Sequence, residues 1–377
     1  MGFIYVQAWG CWLLHGKGFG RPQCGDNTIV PTLFYIPSCR PWEQPAHHDS
    51  MATNNNTTSL SNARNAKKDE FYTQLSDIEA ELRYYKPHFK GKVVLCNCDD
   101  PRVSNFFKYF SNNFEHLGLK RLICTCYKNQ DINLFSQHAA EKAVYTIYEG
   151  DKNGNRRVDL EEIDIHELKG NGDFRSQECI ELLKQADIVC TNPPFSLFRE
   201  YLAQLIQYEK KFLIIGNVNV LTYKEVFPLI QENKMWLGPS ISSGDRKFNV
   251  PDDYPLNAAG CGFDTDGRKF IRVKGVRWFT NLDHSRRHEE IILYKRYTPE
   301  EYPKYDNYDA IEVSTVKEIP MDYDGVMGVP ITFLDKYSPD QFDIIGNEYT
   351  LNIAKGRVYV RGKRLYSRVF IRKKQQS

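Results

Sequence analysis

The chain has 377 residues, enough for two domains and a sizeable core. Its 50 basic residues are nearly balanced by 48 acidic ones, which excludes a uniformly basic coat and confines any nucleic-acid surface to local patches. No apolar run is long enough to span a membrane, and the ten cysteines read as reduced thiols, so a cytoplasmic protein with no membrane attachment is expected.

Residues 1–50 carry Trp9, Trp12 and Trp42 with no clear period, and they lack the basic start and small-residue cleavage site of a signal peptide. Met51 opens an Asn/Thr/Ser-rich arm. We expect Met51 to be the physiological start, an ordered N-terminal extension being the rival reading. Residues 1–66 are expected to be a poorly ordered extension.

From Lys67 the pattern becomes regular. SDIEAELRYYKPHF predicts a helix with Ser76 as N-cap, Glu79 in the capping-box position and Pro87 as terminator. GKVVLCNC predicts a buried strand. PRVSNFFKYFSNNFEHLG has helical apolar spacing and closes on Gly118. A second strand (LKRLICTCY), a helix (SQECIELLKQA), a strand (DIVCTN), a helix (LFREYLAQLIQYEKK) and a strand (FLIIGN) follow. This alternation predicts an α/β fold, an open and mostly parallel sheet with helices on both faces, in which ligands sit at the carboxyl ends of strands. After Trp236 short strand-like runs replace helices. We expect a catalytic domain over 67–281 and a recognition region over 282–377.

Two features suggest metals. Cys96 with Cys98, and Cys124 with Cys126, place thiols two apart in strands, a spacing poorly suited to a tetrahedral site and better explained by core packing. Asp151 to Glu162 (DKNGNRRVDLEE) partly mimics a calcium loop, but Arg156 occupies the position that requires glycine. No metal is expected, and this segment reads as an exposed hairpin or loop.

The chemistry concentrates in Asn192-Pro193-Pro194-Phe195, between a buried strand and a helix. A residue before proline is pushed extended, and the second proline fixes the turn. Asn192 is thereby held with its amide oxygen beside backbone carbonyls that tend to lack donors. Two neighbouring acceptors match the two protons of an exocyclic amino group, and Phe195 offers a flat face for a heterocycle. An amino nitrogen held this way presents its lone pair to an electrophilic methyl group, and catalysis comes from positioning and preorganised polarity. A plain tight turn is the rival reading.

Upstream, Asp99-Asp100-Pro101 ends the first strand, where a cofactor turn belongs, although the usual glycines are missing. These acids suit a ribose or a charged amino-acid group, or else simply start the helix. Asp173 and Phe174 precede the helix leading to the motif strand, where an acid and a ring could hold an adenine edge or cap that helix.

DEFYTQ, CNCDDPRVSNFFKYF, GDFRSQECIELLKQADIV, TNPPFSLFREY, KKFLIIGN, YKEVFPLI, WFTNL and GVPITFLDKYSPDQFDIIG together resemble the EcoRI-type adenine-specific DNA methyltransferases, from about Lys67 to about Gly346. The resemblance implies a Rossmann-like sheet, S-adenosylmethionine as cofactor, N6-methyladenine in double-stranded DNA as product, and a C-terminal target-recognition region. It implies that Asn192 to Phe195 are catalytic. Phe71, Tyr72 and Thr73 match the segment closing over the methionine part of the cofactor, and Asp173 and Phe174 match the segment facing its adenine. A cognate restriction endonuclease encoded separately, or a lone methylase, fits equally. RNA or protein-glutamine methylation by the same motif, cytosine N4 methylation and a non-catalytic DNA-binding module are the competing functions.

DNA contacts are expected from the basic, aromatic run after the core. Arg272 and Lys274 should share one strand face, Arg277 should point away, and Arg286 and Arg287 follow closely. Gly275 is positioned to break the register. Lys355 to Lys374 is a second basic run of the same kind.

Overall fold

The structure, a computed structural model, describes residues 71–97, 104–126, 143–155, 158–250, 254, 256, 260–353 and 356–375. Residues 1–70, with the expectations placed on them, lie outside this set, as do Cys98 and Asp99-Asp100-Pro101. In chain order, β1 (Tyr72–Thr73) leads into α1 (Leu75–Leu82), β2 (Val93–Asn97), α2 (Asn105–Asn112), α3 (Phe114–Leu117) and β3 (Arg121–Cys126). Next come β4 (Val144–Tyr148), β5 (Ile163–Glu167), α4 (Gln177–Gln185), β6 (Ile188–Thr191), α5 (Phe198–Gln207), β7 (Lys211–Asn217) and α6 (Phe227–Gln231). The strands β8 (Trp236–Leu237), β9 (Asp245–Asn249), β10 (Gly262–Phe263), β11 (Lys269–Lys274) and β12 (Val276–Thr280) follow. The rest contributes β13 (Ile311–Glu312), β14 (Met327–Pro330), β15 (Phe342–Asn347), β16 (Tyr359–Val360), β17 (Lys363–Arg364) and β18 (Arg368–Lys373).

The fold is mixed α/β with several sheets. The largest has eight strands in the order β5-β4-β3-β2-β6-β7-β12-β8. Its centre, β3-β2-β6-β7, is parallel, while β4, β5, β12 and β8 join antiparallel. The expected mostly parallel sheet is therefore a mixed one. Its outer strands arrive through a hairpin (β4–β5) and through β12, which runs against β7, and neither connection has the helical crossover that parallel pairing needs.

Strand residues alternate between two cores. Val93, Leu95, Val189, Phe212 and Ile214 face a core shared with α4, α5 and α6. Val94, Cys96, Ile188, Cys190, Leu213 and Ile215 face one shared with α1 and α2. Burial on both faces is why these strands read as continuous apolar runs. The cysteines fit this: Cys96, Cys124 and Cys126 are buried in their strands.

Local signals set three of the helix ends. Ser104 accepts from Phe107 N and Ser176 from Cys179 N, and Gly118 takes φ +62° to close α3. The first helix differs from expectation. Asp77 N and Ile78 N already bond the Gln74 carbonyl, so α1 starts at Leu75 and Ser76 sits inside the first turn. Pairing of Tyr72 and Thr73 with β9 holds them extended, and Gln74 is the first residue free to turn. In the calcium-like loop the carboxylates serve the loop itself. Glu162 accepts from Lys152 N and Asn153 N, and Asp159 from the side chains of Asn153 and Asn155.

Two smaller four-stranded sheets flank the large one. The order β1-β9-β11-β10 packs Phe248, Ile271 and Val273 into the α1/α2 core. The order β13-β14-β18-β15 sends Ile311, Met327, Val329, Phe342 and Val369 into the core of α4, α5 and α6.

Candidate active site

β2, β3 and β6 end together, with Asn97 level with Thr125, and Leu95 with Val189. Thr191 Oγ1 donates to the Asn97 carbonyl, and Tyr201 OH to Asn97 Oδ1, so a buried network ties the carboxyl ends of β2 and β6 to α5. The loop 169–176 reaches the same edge. Gly172 (φ +79°) lies so close to β3 that an added Cβ would stand 2.4 Å from the Cys126 carbonyl.

Asn192 follows the last residue of β6 and is 8 % exposed. Its Nδ2 donates to the Phe71 carbonyl at 2.6 Å, and its Oδ1 is buried with no partner. Leaving a buried acceptor unpaired costs ~1–3 kcal/mol, so a group that donates to this oxygen is bound favourably. Pro193 is buried and Pro194 half-buried, and the Pro194 carbonyl accepts from Leu197 N, which opens the turn into α5.

Phe195 is half-buried and stands edge-on to Phe71 (5.4 Å, 82°) and to Phe248 (6.3 Å, 86°). Phe71 and Phe248 are buried against each other at 5.8 Å. The ring of Phe195 is thus braced from behind while part of it stays open. β1 is held over the motif by Asn105 Nδ2, which donates to the Thr73 carbonyl at 2.7 Å. Thr73 Oγ1 is buried without a partner, and Tyr72 lies on the opposite face of the strand.

Asp173 carries the polar part of the second expected segment. Arg175 donates to both of its oxygens, and this bonding holds the Asp173 carboxyl below the usual carboxylate range. Arg175 also reaches Glu200 at 2.7 Å. Phe174 turns inward: it is 4 % exposed, packs edge-on against Tyr201 at 5.0 Å, and its carbonyl accepts from Gln204. It anchors the loop, and Asp173 is the member left with polar atoms at the surface.

The residues at this edge fit S-adenosylmethionine. An orphaned Thr73 hydroxyl lies two residues from the carbonyl that Asn192 bonds, and an ionised carboxylate stands on the loop that crosses β3.

The basic residues divide. Arg272 and Lys274 are exposed on one face of β11, with Lys247 of β9 directly opposite Arg272. Arg272 lies 3.5 Å from Asp245, and Lys247 sits over the Phe270 ring at 4.6 Å. Gly275 (φ +73°) separates β11 from β12 and marks the passage from the small sheet to the large one. Arg277 is a correction. Its side chain turns inward, where its guanidinium pairs with Asp335 at 2.6 Å and donates to the Ser242 carbonyl. Buried and fully engaged, it is no phosphate contact.

Arg286 and Arg287 stand at the other end of the sheet. β12 runs against β7, with Val276 opposite Asn217 and Thr280 opposite Leu213, so the chain beyond Thr280 emerges at the amino ends of the parallel strands, away from Asn192. There Arg287 lies 3.7 Å over Trp236 and bonds Asn233, and Arg286 faces Glu289 at 3.5 Å.

Reasoning from sequence missed Asn105, Phe248 and Lys247. Asn105 reads as an ordinary first helical residue. DRKFN holds one apolar residue, Phe248, among four polar ones, too weak a pattern to signal β9 or the strand it joins.

A family model described as adenine-specific methyltransferase EcoRI matches residues 59–374. The Type II methyltransferase M.EcoRI of Escherichia coli is 51% identical over 327 residues, 86% of this chain and 99% of that protein. M.MgeORF184P of Mycoplasma genitalium is 40% identical over 331 residues, 83% of this chain and 98% of that protein. M.MpnI of Mycoplasma pneumoniae is 40% identical over 331 residues, 83% of this chain and 97% of that protein. No solved structure matches. A fixed amide and a braced ring at the carboxyl edge of parallel strands, in a chain with these relatives, define an S-adenosylmethionine-dependent methyltransferase. The chain belongs to the EcoRI family of adenine-specific methyltransferases.

Proposed function

We propose that the chain transfers a methyl group from S-adenosylmethionine to N6 of an adenine flipped out of duplex DNA at a specific sequence. The observation that carries this reading is the buried, unpartnered Asn192 Oδ1 beside the partly open Phe195 ring. Asn192 Oδ1 accepts one proton of the target amino group and the Pro193 carbonyl accepts the other. Phe195 stacks on the base, an interaction worth ~1–3 kcal/mol. The paired acceptors turn the nitrogen lone pair toward the cofactor side, where Phe71, Tyr72, Thr73 and Asp173 stand. Bound S-adenosylmethionine supplies an electrophilic methyl group. Asp99 and Asp100, next to β2, are assigned to its polar end.

The sheet order supports a Rossmann-like reading. β3 and β6 lie on opposite sides of β2, which makes the carboxyl end of β2 the switch point where such sheets bind ligands. A base inside a duplex cannot reach this pocket, so flipping follows. We assign phosphate contacts to Arg272 and Lys274, extended by Lys247, and target recognition to residues 282–377 together with this small sheet. A cognate restriction endonuclease is a proposed functional partner.

The test is tritiated methyl transfer offered to duplex DNA, RNA and protein. Label should enter adenine of DNA in wild type and fall about 10²–10³-fold in Asn192→Ala, the loss expected for one preorganised polar contact. Label in RNA or glutamine would overturn the substrate assignment. Near-normal single-turnover rates in Asn192→Ala would overturn the catalytic one. A 2-aminopurine at the target position should brighten on binding, and no brightening would count against flipping.

A further inference from the structure

The catalytic amide is oriented by a backbone group. A carbonyl can only accept, so the contact between Asn192 and the Phe71 carbonyl at 2.6 Å leaves one orientation of the amide: nitrogen toward Phe71, oxygen away. The oxygen facing away is the orphaned one. We propose that the Phe71 carbonyl, presented by β1, is the acceptor that sets Asn192 for catalysis, and that it makes position 192 require an amide and reject a carboxylate. This deepens, and rests on, the catalytic reading of Asn192.

The carbonyl is not free to retreat. Asn105 bonds the Thr73 carbonyl two residues on, and β1 pairs with β9 through Tyr72–Asn249 and Thr73–Phe248. The Phe71 ring is wedged among Phe195, Phe248 and Tyr254. Aspartate is nearly isosteric with asparagine, yet at position 192 an ionised carboxylate would set one oxygen against the Phe71 oxygen in a buried site. Only the protonated acid can donate to Phe71 and still offer its other oxygen to the amino group. Burial and the facing carbonyl both disfavour the ionised form, so the substituted acid holds its proton to higher pH than a free carboxyl. The sign follows: Asn192→Asp works below the raised pKa and loses activity as pH climbs through it.

Other titratable groups stand on the surrounding elements. Among the described residues they include Cys190 on β6 and Tyr109 on α2, both pushed up by burial; Tyr72 on β1; Tyr201 on α5; Tyr254, beside the Phe71 ring; and Arg246 on β9, 3.9 Å from Asp77 of α1, whose carboxyl burial raises. All are present in wild type, so the ratio of variant to wild-type rate isolates position 192.

The experiment is single-turnover methylation of duplex DNA by wild type, Asn192→Asp, Asn192→Ala and Asn105→Ala between pH 5.5 and 8.5. Above its pKa the Asn192→Asp to wild-type ratio should fall about tenfold per pH unit, the slope of one titrating proton. Asn192→Ala should stay flat and low. Asn105→Ala, which loosens β1, should lose about tenfold in rate, the scale of one hydrogen bond, with DNA affinity unchanged. A pH-independent ratio for a folded Asn192→Asp overturns the proposal. Should that variant not fold, the rate of Asn105→Ala decides, and a normal rate overturns it. Near-normal turnover in Asn192→Ala would instead overturn the catalytic reading beneath it.

Discussion

Arg272 and Arg368, one from each flanking sheet, are used in opposite ways. In β1-β9-β11-β10 the cations Lys247, Arg272 and Lys274 occupy one outward face, while Phe248, Ile271 and Val273 occupy the other. In β13-β14-β18-β15 the first strand arginine, Arg368, is turned in and held by Glu312 at 2.7 Å, and Tyr305 also donates to Glu312. Both sheets come from basic, aromatic, β-like runs that look alike as text. The difference lies in whether a carboxylate from elsewhere in the chain meets the guanidinium inside the fold. A desolvated arginine with a partner is part of the architecture, and only cations left at the surface can release counterions on binding DNA.

The largest effect that could break this contrast is on stability. Arg368→Ala strands Glu312 in a buried site and should cost about 3–5 kcal/mol, read as a large fall in Tm. Arg277→Ala should do the same by stranding Asp335. If either variant melts normally and instead loses DNA affinity, the buried pairs are not structural and the contrast fails.

Next in size are the outward cations. Arg272→Ala and Lys274→Ala should each weaken DNA binding and lower the slope of log affinity against log salt by about 0.9, with Tm and S-adenosylmethionine affinity unchanged. Loss at the preferred site alone, with the slope intact, would mean a base contact. Lys363→Ala and Arg364→Ala, on the exposed β16–β17 hairpin, sharpen the comparison: a slope change there would move the phosphate surface to the C-terminal region. The smallest effects belong to the far end of the sheet. Arg287→Ala should cost about 0.5–1 kcal/mol through its lost stacking on Trp236, and Arg286→Ala nothing measurable, neither altering DNA affinity.

Much of the active edge was legible because it is local. The strand before Asn192, the prolines that fix it and the helix after Phe195 are contiguous, and their buried runs carry strong period signals. The hairpin β4–β5 was not legible. Asp151 to Glu162 reads as an exposed hairpin or loop, whereas the strands lie on either side of it, and four of the five residues of β5 are exposed, Ile165 among them. Arg277 shows the same limit for charges. Parity does not carry across Gly275 from β11 to β12, and its partner lies 58 residues away, a range on which no spacing rule reports. Phe71 and Asn192, separated by 121 positions, meet only because β1 pairs with β9, a two-residue strand too short to signal itself.

Gly275 separates Lys274, at the end of the outward face, from Val276, the first residue of a strand hydrogen-bonded to β7. A side chain there would have to accept φ +73° and stand 3.0 Å from Val218. There is no slack in this joint, so the outward cations and the sheet that carries Asn192 behave as two arms of one bent bar. A graft or insertion at this point would have no neutral length, since each added residue would re-aim the small sheet relative to Asn192. Altered specificity is therefore to be sought by changing side chains on the sheet faces, while the joint between the two sheets keeps the gauge of the enzyme.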